Sequence, residues 1–144
     1  MLACVPRAVV LATAASVAAL SLAACGGSSG PSDGFAQPAA TAFRAGDCRT
    51  AAPSVLAIGQ QVRQLGTKAK PAATTLAALT DAQAPLLAHP STDPQAGAAL
   101  QKLVAAEGFV RLRSVGSEYA PALGQQVTAA YDGVLRACTS GSAR

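Results

Sequence analysis

The stretch LGQQVTAAYDGVLRAC, residues 123–138, repeats its apolar side chains at intervals of three and four. Leu123, Val127, Ala130, Tyr131, Val134 and Cys138 fall on one side of a 3.6-residue helix, with Gln125, Asp132 and Arg136 on the other. Asp132 precedes Arg136 by four, which adds a weak surface ion pair. The same period appears near the other end of the chain, where Cys48, Ala52, Val55, Ile58, Val62 and Leu65 share a face and Arg49, Gln60, Arg63 and Gln64 lie off it. From Asp47 onward this spacing, not the alternation of a strand, governs the apolar residues, so the folded part reads as all-α.

Working outward, the breaks set the number of helices. Gly66 and Lys68-Ala69-Lys70-Pro71 end the first, with glycine suited to the position past a helix and proline to the start of the next. The second puts Leu76, Leu79, Leu86 and Leu87 on one face. Pro85, which lacks a donor and presses on the preceding carbonyl, predicts a kink or stop between Asp81 and Pro85. His89 to Thr92 reads as a loop, and Asp93-Pro94 as a helix start. The third helix takes Leu100, Leu103, Val104, Val110 and Val115 as its core stripe, and Gly116-Ser117 with Pro121 separates it from the fourth. Short connections make neighbours antiparallel, so the expected architecture is an up-down-up-down four-helix bundle. The alternative is a long helical hairpin bent at Pro71 and Pro121.

At 144 residues, 51% hydrophobic, 12% charged and 3% aromatic, the chain supports one small core. It contains 36 alanines, no Asn or Trp and a single His. Ahead of the helical region, Met1 to Arg7 is short and carries one positive side chain, and the fifteen residues Ala8 to Leu22 are free of charge. A membrane span needs roughly 20 apolar residues and a secretory leader about 7 to 15, so this segment reads as a leader. The Leu22-Ala23-Ala24-Cys25 sequence that follows resembles the lipobox of bacterial lipoproteins. That resemblance implies a signal peptide over 1–24, cleavage before Cys25, and a diacylglyceryl group, carrying palmitate-type chains, on the Cys25 thiol. The domain would then be anchored to the outer, extracytoplasmic face of the cell membrane, since one or two acyl chains at roughly 0.8 kcal/mol per methylene suffice to hold it. The alanine-rich, Asn-free composition is similar to that of actinobacterial lipoproteins.

Residues 25–46 are rich in Gly, Ser, Pro and Ala, and are expected to form a flexible tether spanning roughly 25 Å root-mean-square. Within it, Gly26-Gly27-Ser28-Ser29-Gly30 matches the G-x-S-x-G pattern but lacks the strand and helix of a nucleophile elbow, and reads as a spacer. The helical domain then covers 47–139, and 140–144 form a disordered tail. With Cys4 lost in the leader and Cys25 lipidated, Cys48 and Cys138 remain as a pair in an oxidising compartment. They stand on apolar faces at the start of the first helix and the end of the last, and an even number of antiparallel passes brings those ends together. A disulfide is expected there, closing about 90 residues and constraining the unfolded chain by roughly 4 to 5 kcal/mol.

Residues for catalysis are sparse. His89 stands alone beside a proline, the acids Asp81, Asp93, Glu107, Glu118 and Asp132 are well separated, and glycines occur in the tether or singly at helix breaks. No metal, cofactor or enzymatic role is expected. A mature balance of ten basic to seven acidic groups is too mild and scattered for nucleic acid. Two features of the third helix stand out. Glu107 and Arg111, four apart, point toward its core stripe, either as a buried pair or at the solvent boundary with their stems extended. Phe109, Leu112 and Tyr119 form a second apolar face, near Arg111 and Arg113, that either packs under a neighbouring helix or faces a partner. The first expectation for function is a non-catalytic interaction module of the cell envelope with Phe109, Arg111, Leu112, Arg113 and Tyr119 as its surface. The second is a carrier or sensor with a small apolar or anionic ligand between the helices near Glu107 and Arg111.

Overall fold

The structure, a computed structural model, describes residues 37–65 and 70–139. The leader, Cys25, the tether before Gln37, residues 66–69 and the tail 140–144 lie outside the described residues. A 3-10 turn at Ala40–Ala42 precedes four helices: α1 (Asp47–Leu65), α2 (Ala73–Ala88), α3 (Pro94–Val115) and α4 (Pro121–Cys138). Helix α1 packs on α2 and α4, α4 packs most closely on α3, and the α2/α3 seam closes the ring with the thinnest contact. Among the described residues the backbone forms no strand, only a single antiparallel bridge between Phe43 and Thr139. The protein is an all-α, antiparallel, up-down-up-down four-helix bundle, not a bent hairpin.

Each helix contributes most of its expected stripe to one core. Val55, Ile58 and Leu65 meet Leu79, Leu103, Val110, Val127, Tyr131 and Val134, all shut off from solvent. Small residues let the helices approach: the Leu65 carbonyl oxygen lies 2.7 Å from where a Cβ on Gly124 would stand, so α4 crosses the end of α1 nearly backbone to backbone. Cys48 and Cys138 are disulfide-bonded, their Cα atoms 5.2 Å apart across 90 positions of sequence.

Three details depart from the sequence reading. Helix α2 does not stop near Pro85 but continues to Ala88. The ring is exposed in the last turn, where one backbone bond is forgone while Leu86 packs into the core and the His89 N–H donates to the Pro85 carbonyl. Leu87 and Val115 are not core residues, at 62% and 84% exposure. Adjacent leucines sit about 100° apart on a helix, so Leu86 and Leu87 cannot both face inward. Packing also begins before Asp47. Phe43, assigned to the tether, is 1% exposed, and the next residue's N–H donates to the Cys138 carbonyl at 2.8 Å. Its ring joins the core cluster beside the disulfide, and Gly46, at φ +82°, turns the chain into α1.

Candidate interaction surface on helix α3

Helix α3 is fastened at both ends, which fixes what each of its faces meets. At the start, the Asp93 carboxylate accepts from the N–H groups of Gln95 at 2.8 Å and Ala96 at 3.0 Å, and Pro94 supplies a preset φ. The Asp47 carboxylate grips the preceding loop, accepting from Ser91 Oγ at 2.8 Å, the Thr92 N–H at 2.5 Å and the Asp93 N–H at 3.1 Å. These donors, with Ser91 first, lower its pKa to about 2. Arg44 ties the same end to α4, donating to the Ala137 carbonyl at 2.5 Å and reaching Asp93 Oδ2 at 3.5 Å. At the other end the Glu118 N–H donates to the Arg113 carbonyl at 2.8 Å, and the Arg113 and Glu118 side chains pair.

Toward α2 the helix presents a polar track. Gln83 Nε2 donates to the Val104 carbonyl at 3.0 Å, and the Arg111 guanidinium donates to Gln83 Oε1 and, at 3.1 Å, to Thr80 Oγ1. Glu107 lies beside this track at 0% exposure, and neither carboxyl oxygen has a hydrogen-bond partner. Burial pushes its pKa up to about 8, against a smaller downward pull from the Arg111 charge. The acid is therefore held in its neutral form at pH 7. Of the two readings of Glu107 and Arg111, neither describes the result: the glutamate is fully buried, while the arginine is half-buried and donates to Thr80 and Gln83 of α2.

The outward face carries the candidate site. Phe109, Leu112 and Val115 are 54%, 67% and 84% exposed. With Leu87 of α2 they are the exposed large hydrophobic side chains among the described residues. Leu87 also lines an apolar groove of about 290 Å³ between the end of α2 and the first half of α3, with Leu86, Pro90, Leu100, Val104 and Ala105. On a helix Ala105, Phe109, Leu112 and Val115 succeed one another by four, three and three, so groove and exposed side chains form one continuous face. Glu107 and Arg111 do not line that groove.

Not every expected surface residue belongs to this face. Tyr119 is half-buried, donates from its hydroxyl to the Leu65 carbonyl at 2.6 Å, and has its phenol pKa raised by burial. It closes the α1 end of the bundle. Arg111 serves the α2 seam and Arg113 its pair with Glu118. Val115 and Leu87 take their places. The signal for Val115 was present, three residues after Leu112, but its hydrophobicity placed it with the core stripe. His89 is exposed, and among the described residues no group of three or more His, Cys, Asp or Glu side chains could hold a metal ion. Comparison with protein-family models, curated proteins and solved structures returns no match to this chain.

Proposed function

We propose that this protein is an exported lipoprotein, held by lipidated Cys25 on the outer face of the cell membrane, that works as a non-catalytic docking module of the cell envelope. Its contact face is the outer side of α3 with Leu87 of α2. The observation that carries this reading is the exposure of Phe109, Leu112 and Val115 along the outer side of α3, beyond an apolar groove that exposed Leu87 lines. Full burial of side chains of this kind is worth roughly 1.5 to 3 kcal/mol each, and contiguous patches beyond a few hundred Å² mark contact sites. The lipobox supports the location, and the disulfide suits an oxidising compartment.

A photo-crosslinking amino acid at Phe109 in intact cells tests the reading. It should yield a covalent product that the same group at Gln125, exposed on α4, does not. If neither position gives a product from folded, membrane-associated protein, the docking role is wrong. A second reading, a small apolar ligand in the α2/α3 groove, is favoured by the groove itself, whose 290 Å³ is at the low end for ligand sites. A stoichiometric bound mass in native mass spectra of the extracted protein would support it.

A further inference from the structure

We propose that the docking face is a membrane contact: the last two turns of α3, with the bundle end away from the disulfide, rest on the anionic lipid surface in which the chain is anchored. This rests on the readings of that face as a docking surface and of Cys25 as the anchor, and it names the partner. The charges of the described residues are sorted along the bundle axis. At the end holding the α1/α2 and α3/α4 connections, Arg63, Lys70, Arg111 and Arg113 stand against the single acid Glu118. Arg113 pairs with Glu118, which leaves the other three cations in excess. The sequence adds Lys68 to the first of those connections. At the disulfide end Arg44, Arg49 and Arg136 are matched by Asp47, Asp93 and Asp132, and Asp81 and Lys102 lie between the two ends. Helix α3 brings no ionised acid to the far end, since Glu107, its one acidic residue, is buried and neutral at pH 7.

The apolar part of the contact lies in the same turns. Phe109, Leu112 and Val115 occupy one arc of α3; on a 3.6-residue helix Arg113 falls beyond Phe109 at one edge of that arc and Arg111 beyond Val115 at the other. Apolar side chains set between basic ones suit the boundary of headgroups and acyl chains, where the former enter the bilayer and the latter meet phosphate. The chain leading to the anchor also runs toward this end. Phe43 is bridged to Thr139 beside the disulfide, whereas the earlier Gln37 donates from Nε2 to the Leu56 carbonyl at 2.8 Å, halfway along α1. From Leu56 the far end of α1 is about 14 Å away. The stretch from Gln37 back to Cys25, about twelve residues, spans about 20 Å root-mean-square and at most roughly 40 Å. A bilayer under the far end is within that reach.

The test uses the full mature chain, reconstituted through its anchor into vesicles of phosphatidylcholine with phosphatidylglycerol, and into phosphatidylcholine alone. The protein has no Trp, so Leu112→Trp and, at the other end of the same helix, Gln95→Trp each carry one reporter at an exposed position. Lipids brominated on their acyl chains quench only a Trp that enters the bilayer. In the anionic vesicles Leu112→Trp should be quenched at least threefold more than Gln95→Trp. Neutral vesicles, or adding Arg63→Gln/Lys70→Gln, should reduce that quenching at least twofold. Equal quenching at the two positions, or quenching at Leu112→Trp that neutral lipid leaves undiminished, overturns the anionic surface as the occupant. The photo-crosslinker at Phe109 then separates the two claims. An adduct with another protein, without preferential quenching at Leu112→Trp, leaves the docking face standing and removes the membrane from it. No adduct of any kind, with no preferential quenching, removes both.

Discussion

At Glu107 a carboxyl group occupies a position where the helical period calls for an apolar side chain, and the physical result is an acid kept neutral by burial. Its pKa rises from the ordinary 4.5 to about 8. The folded chain therefore binds a proton that the unfolded chain releases between those values, and stability falls as pH rises from about 4.5 to 8 before levelling. Asp47 acts in the opposite sense. Its pKa is lowered to about 2, so its contribution is present above about pH 4 and lost as pH falls through about 2. Glu107→Gln should leave stability at pH 5 nearly unchanged and raise it at pH 8 by at least about 1 kcal/mol, measured by urea denaturation at both values. An unchanged decline between pH 5 and 8 would show that Glu107 is not the titrating group. The wheel position of Glu107 was readable from sequence. That Arg111 would not pair with it was not, because the competing acceptors Gln83 and Thr80 belong to α2.

Among the elements, α1 and α4 were legible because their apolar residues lie on single narrow stripes. Helix α3 was harder to orient, since it carries an inward stripe through Leu103 and Val110 and an outward one through Phe109 and Leu112. Only the positions of α2 and α4 decide which is the core. Phe43 was missed for a different reason: one aromatic among small residues has no period, and its burial depends on the open end that the disulfide leaves beside Cys138. The crossing of α4 over α1 makes a sharper prediction. A methyl at Gly124 would stand 2.7 Å from the Leu65 carbonyl oxygen and 2.9 Å from the Tyr119 hydroxyl, and the backbone at the end of α1 cannot yield as a flexible side chain could. Gly124→Ala should cost about 1 to 3 kcal/mol despite alanine's better helix propensity, lowering the thermal midpoint by several degrees. A rise in that midpoint would show that the helices are not in contact there.

For the whole molecule, four helices with few aromatics form a core whose ends are secured by one covalent link. The bond between Cys48 and Cys138 closes 90 positions, and removing it in Cys48→Ser/Cys138→Ser should destabilise the bundle by roughly 4 to 5 kcal/mol in urea denaturation, most of what a domain of this size possesses. The bundle and this bond could be read from helical period, break positions and cysteine placement, all local or arithmetic properties of the chain. The outward apolar face of α3 could be read only in part, since exposure is a property of the assembled ring. The mass of the intact mature protein, taken from membranes without reduction, tests its placement as an anchored envelope module most directly. A chain beginning at Cys25, heavier by a diacylglyceryl group and lighter by two hydrogens, is the predicted result. A chain that keeps the leader, with an unmodified Cys25 and with Cys48 and Cys138 as free thiols, would contradict it.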